Sequence, residues 1–83
     1  MIVLTADQVE NEAAKAGLIV SVHSERDRTR EVAVLEPSGL VWPVPADYTR
    51  MPDLVAHPVP DGGGYEVEAR TEKGAEFLKR FGG

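Results

Sequence analysis

His23 and His57 are the two side chains of this chain best suited to acid–base or metal chemistry near neutral pH. Their separation fits no His-x-x-x-His pattern, and a zinc site or proton shuttle would need carboxylates drawn up beside them. Cysteine is lacking, which removes thiolate ligands, a thiol nucleophile and disulfides together. There is no Gly-x-Ser-x-Gly elbow, and Gly62-Gly63-Gly64 lacks the lysine and following helix of a phosphate-binding loop. The carboxylates are scattered and form no acid–base couple. The expectation is a non-catalytic protein without metal or cofactor. His23 falls at a strand end and His57 among prolines, so both are expected at the surface.

Binding chemistry is better represented. Segment 40–52 (LVWPVPADYTRMP) holds the single tryptophan, Trp42, together with Tyr48, Arg50 and Met51, residue types enriched at the centres of protein interfaces. Its prolines reduce the entropy lost when an extended arm is held against a partner. Trp42 could equally close a thin core. Arg26, Arg28 and Arg30 alternate with Glu25 and Asp27. An extended ribbon would align these guanidinium groups as a comb for phosphate or carboxylate, while a solvated hairpin tip would pair them internally. Glu66 and Glu68 alternate on one strand and offer an acidic face of the kind a nucleic-acid mimic presents.

The elements that must position these residues follow from periodicity. Ile2 to Leu4 reads as a brief strand. Thr5 and Gln8 form a capping box, and Ala6, Val9, Ala13 and Ala16 share one face of a helix that Gly17 ends. Leu18 to His23 alternates, with Leu18, Val20 and Val22 on one side. Glu31 to Glu36 is its hairpin partner across the charged stretch 24–30. Pro37-Ser38-Gly39 is a turn, and Leu40 to Val44 follows as an edge strand because Pro43 cannot donate to a ladder. Residues 45–52 read as irregular. Leu54 to Val59 is expected at an edge or in a loop, given Pro58 and Pro60. Tyr65 to Arg70 is a strand with Tyr65, Val67 and Ala69 inward. Thr71 then caps a final helix whose Gly74, Phe77, Leu78 and Phe81 share a face. The whole of 1–83 reads as one small α+β domain: a mostly antiparallel sheet, a three-strand meander plus one or two further strands, with an N-terminal and a C-terminal helix.

The strand and helix from Tyr65 to Arg80, with Thr71, Lys73 and Gly74 at their junction, resemble the wing and closing helix of winged-helix regulators. That likeness implies a DNA-binding domain, although the helix-turn-helix such a family needs has no counterpart upstream. The final Gly82-Gly83 is similar to the tail of ubiquitin-like and sulfur-carrier proteins, where it implies a β-grasp fold. Here the glycines follow a helix, not a strand.

A net charge of −5 opposes direct binding to nucleic acid or an anionic membrane. No apolar run reaches a membrane-spanning length, and the first residues lack a signal-peptide layout. The function expected is a protein-interaction module, cytoplasmic or in a virion as an accessory component, bound to a partner protein or to its own copies through Trp42, Tyr48, Arg50 and Met51. The alternatives are an acidic inhibitor of a nucleic-acid-binding enzyme, using Glu66 and Glu68, and a winged-helix-like DNA-binding domain.

Overall fold

Short apolar runs separated by turn residues fold here into a single mixed sheet, seen in a computed structural model that describes residues 2–82. The strands are β1 (Ile2–Leu4), β2 (Val20–His23), β3 (Glu31–Glu36), β4 (Gly39–Val41), β5 (Leu54–Pro58) and β6 (Tyr65–Ala69). They lie in the order β1-β6-β5-β2-β3-β4. All neighbours are antiparallel except β2 and β5, which run parallel. The helices are α1 (Ala13–Lys15), entered through a π-helical stretch Gln8–Glu12, and α2 (Glu72–Lys79).

Both helices cover one face of the sheet. Val9 and Ala13 from the first helix, with Phe77 and Leu78 from α2, pack on Leu4, Val20, Leu54, Ala56 and Val67. Val20 and Val67 agree with the strand alternation and Val9, Ala13, Phe77 and Leu78 with the helical spacing, whereas Leu4, Leu54 and Ala56 join the core without having been expected there. The capping box forms as expected: the Thr5 amide donates to Gln8 Oε1 at 2.8 Å and the Gln8 amide to Thr5 Oγ1 at 3.2 Å. The helix itself differs from a regular α-helix over Ala6 to Ala16. The Ala13 amide donates to Gln8 O, a five-residue step that widens the turn. Ala6 is accordingly exposed, not on the buried face. Gly17 ends the helix at φ 76°.

Two further expectations are corrected. The strand after Pro37-Ser38 stops at Val41 and so excludes Trp42 to Val44, which makes the expected meander only partly regular. Leu54 to Pro58 lies in the middle of the sheet between β6 and β2, neither edge nor loop. Pro58 is tolerated because it is the last residue of the strand, opposite Tyr65. Leu54, Val55, Ala56 and His57 are all buried, as a strand covered on both faces must be.

The junction of β6 and α2 explains the Thr71-x-Lys73-Gly74 run in structural terms. Thr71 Oγ1 accepts the Gly74 amide at 3.1 Å, and Lys73 Nζ donates to Gly17 O at 3.0 Å. A Cβ at Gly74 would stand 2.2 Å from Asp53 O, so only glycine lets α2 approach the start of β5 this closely. Gly82 adopts φ 89° after α2, as a helix stop does; Gly83 of the diglycine ending lies outside the described residues.

Candidate functional site

The second face of the sheet, opposite the helices, gathers most of the polar side chains that could act. Alternation sends Ser21 and His23 of β2, Val55 and His57 of β5, and Glu66 and Glu68 of β6 to this side. Parallel pairing of Val22 with Ala56 sets His23 and His57 next to each other. Their rings meet edge to face, with centroids 4.9 Å apart and planes at 84°. Between Val22 and His23 the β2–β3 register slips by one, so His23 stands opposite Glu31. The slip brings Glu31 within reach of Ser21, whose buried hydroxyl donates to Glu31 Oε2.

His57 is only 8% exposed, against the surface position expected from its prolines. Those prolines lie at and beyond the strand end, while His57 itself stands on a central strand, opposite Glu66 and against the His23 ring. Its Nδ1 is buried without a hydrogen-bond partner. Burial holds its pKa below the ordinary 6.5, and the nearby Arg28 guanidinium and His23 push the same way, against the opposing pull of Glu68 and Glu66. His57 is therefore neutral at pH 7.

The hairpin tip 24–30 reaches this cluster through Arg28. Arg28 Nη2 donates to Glu66 Oε1 at 3.0 Å, reaching from the tip to β6 over β5. His23 Nδ1 donates to the Arg28 carbonyl; because a carbonyl only accepts, this fixes the proton of His23 on Nδ1. The tip is shaped from within by Ser24 Oγ, which accepts the Arg26 and Asp27 amides, and by Asp27, whose carboxylate accepts from Thr29 and is thereby held below its usual value. The three arginines thus form no comb: Arg28 is committed to Glu66. Glu68 is likewise paired, with Arg70 at 2.8 Å. Both carboxylates of the expected acidic face carry an arginine.

Beside the histidines lies an open cleft of about 390 Å³, with Ser21 and Val55 in its floor and Glu31, His23, Met51 and Arg70 in its walls. Met51 and Pro52 reach it from segment 42–53, which carries the chain from the β4 edge back to β5. Among the described residues, no group of three or more His, Asp or Glu side chains converges as a metal site would require.

The aromatic end of segment 42–53 follows the β4 edge strand, while its Met51 end borders the cleft. Trp42 is 71% exposed and Met51 73%, and Leu40 on the edge strand is 64% exposed. Trp42 therefore forms no part of the core. Tyr48 is half-buried, and Arg50 stays exposed while reaching the same acceptor. Tyr48 Oη donates to Glu36 Oε2 at 2.7 Å, and Arg50 Nη1 donates to the same oxygen at 3.0 Å. Burial, reinforced by the Glu36 carboxylate, pushes the Tyr48 phenol up to about 12. These two residues tie segment 42–53 to β3, leaving Trp42 and Met51 as its free apolar side chains.

A hub that sequence reasoning passed over is Asp53. Its Oδ2 accepts the Ile19 amide at 3.0 Å and its Oδ1 accepts Thr71 Oγ1 at 2.8 Å. Its own backbone bonds Ile19 O and the Arg70 amide, both at 2.8 Å. One residue thus joins the starts of β2, β5 and α2. The acidic residue directly ahead of an apolar run was its only sequence signal.

Among the described residues, no helix is long and apolar enough to cross a membrane. The chain matches no protein-family model, no curated protein and no solved structure.

Proposed function

We propose that the chain is a small non-catalytic interaction module that assembles, with its own copies or with a partner protein, through the β4 edge. The observation that carries this reading is the exposure of Leu40 and Trp42 at the β4 edge, on a chain whose core is complete without them. A tryptophan kept in water forgoes burial worth roughly 2–3 kcal/mol, and interface centres are where such side chains recover it. β4 lies at the end of the sheet, so its outer backbone groups have no strand partner.

The composition of the edge favours a second copy as occupant. Gly39, Leu40, Val41 and Trp42 carry no charge, so two such edges can meet antiparallel without like-charge repulsion, whereas the −5 net charge opposes contact elsewhere. Tyr48 and Arg50 support the contact by fixing the segment that displays Trp42 and Met51.

Light scattering during size exclusion, at two concentrations a hundredfold apart, tests the reading. The mass should rise with concentration. Trp42→Ala should weaken association while lowering stability by less than about 1 kcal/mol, as befits an exposed residue. Loss of melting temperature with association unaltered would refute it.

A further inference from the structure

His57 has an unpartnered buried nitrogen and stands opposite Glu66, the residue that Arg28 of the hairpin tip holds. We propose that the hairpin tip 24–30 is a proton-operated strap: a proton on His57 releases Arg28 from Glu66 and uncovers this face of the sheet. The inference stands independently of assembly at the β4 edge.

His57 stands opposite Glu66 in the β5–β6 register, and Arg28 holds that same Glu66. A neutral imidazole tolerates this arrangement, since the carboxylate has one cation and the ring carries no charge. An imidazolium does not. It places a second positive charge near the Arg28 guanidinium, and its buried Nδ1–H would point at no acceptor. Glu66 is the carboxylate directly opposite His57 in the ladder, and Arg28 already holds it. It can serve the imidazolium or the guanidinium, and moving to the imidazolium frees the strap while letting water reach the ring.

The remaining neighbours do not absorb the charge. On β2, His23 presents an N–H already given to the Arg28 carbonyl, and Ser21 is given to Glu31 of β3. On β6, Glu68 is paired with Arg70. The strap's hold on His57 therefore rests on two contacts, Arg28 to Glu66 and His23 to the Arg28 backbone. Both run through one residue of the tip.

The sign follows from linkage. Closed, His57 has a pKa below 6.5; open and solvated, it returns towards 6.5. The closed form is thus favoured fully above pH 6.5 and loses its advantage as pH falls through the closed-state value. Each tenfold of strap closure against the proton appears as one unit between the two midpoints.

NMR titration of the whole chain, from about pH 8 to about pH 5, tests this across the range where a histidine charges. The His57 ring proton should titrate below 6.5. Contacts from the Arg28 side chain to Glu66 should vanish with the same midpoint, and amides 26–29 should become mobile. Arg28→Met should raise the His57 midpoint towards 6.5 and leave the tip mobile at neutral pH. His57→Gln should keep the Arg28–Glu66 contact down to the pH at which carboxylates protonate. The proposal is overturned if the Arg28–Glu66 contact persists through the His57 midpoint, or if Arg28→Met leaves that midpoint where it was.

Discussion

Asp53→Ala is the substitution from which the fold has most to lose. The Ile19 amide, on a residue 8% exposed, would lose its acceptor at 3.0 Å. An unsatisfied buried donor costs about 1–3 kcal/mol. Thr71 would lose the carboxylate that holds its hydroxyl at 2.8 Å, while still capping Gly74, which adds about 1 kcal/mol. The negative charge beside the α2 N-terminus also disappears, a few tenths more. The sum is about 2–4 kcal/mol. A domain of 83 residues has a total stability of about 4–12 kcal/mol, so the loss is a large share of it. Asp53→Asn should fall between the two, since one carbonyl oxygen can still accept from Ile19 while the amide group donates to Thr71. Urea denaturation followed by circular dichroism, at fixed pH, gives the comparison. A loss under about 0.5 kcal/mol for the alanine variant, the range of an ordinary surface substitution, would refute the assignment of Asp53 as the joint between β2, β5 and α2.

Gly74→Ala ought to destabilise although alanine is the better helix former by about 1 kcal/mol, because its Cβ would meet Asp53 O at 2.2 Å. The same denaturation experiment checks this, and a stabilised variant would contradict the close approach. Tyr48 should ionise at about 12 in absorbance titration. Glu36→Gln should bring that value down without restoring 10, since burial is the larger cause. As the folded value lies above the unfolded one, the tyrosine's contribution to stability is full below pH 10 and is lost as pH rises through about 12.

Much of the fold was legible because local signals agreed with the tertiary answer. Thr5 with Gln8, Thr71 ahead of Gly74, and the alternation of Tyr65, Val67 and Ala69 each name an element and its buried side. The position of β5 was not legible. Pro58 and Pro60 argue against a ladder, yet one closes the strand and the other lies past it, and only pairing with β2 some thirty residues earlier reveals a central strand. With β5 misplaced, His57 reads as a surface residue and its contact with His23 is invisible. The widened turn at Gln8–Glu12 is hidden for another reason: its residues have the composition of an ordinary helix. For Trp42 the sequence allows both core and surface, since the choice depends on β4 ending one residue earlier at Val41. Tyr48 and Arg50 were recognised as part of the same segment, but their shared acceptor Glu36 belongs to another strand and emerges only in three dimensions.

The emission of Trp42 tests the central claim most directly, because it is the single tryptophan and reports its own surroundings. In a dilution series with a soluble quencher, the account predicts a water-exposed, freely quenched indole at low concentration. As concentration rises, emission should shift to the blue and quenching should fall, in step with the mass from light scattering. A shielded indole in the dilute monomer, or an indole equally exposed at every concentration, would contradict it.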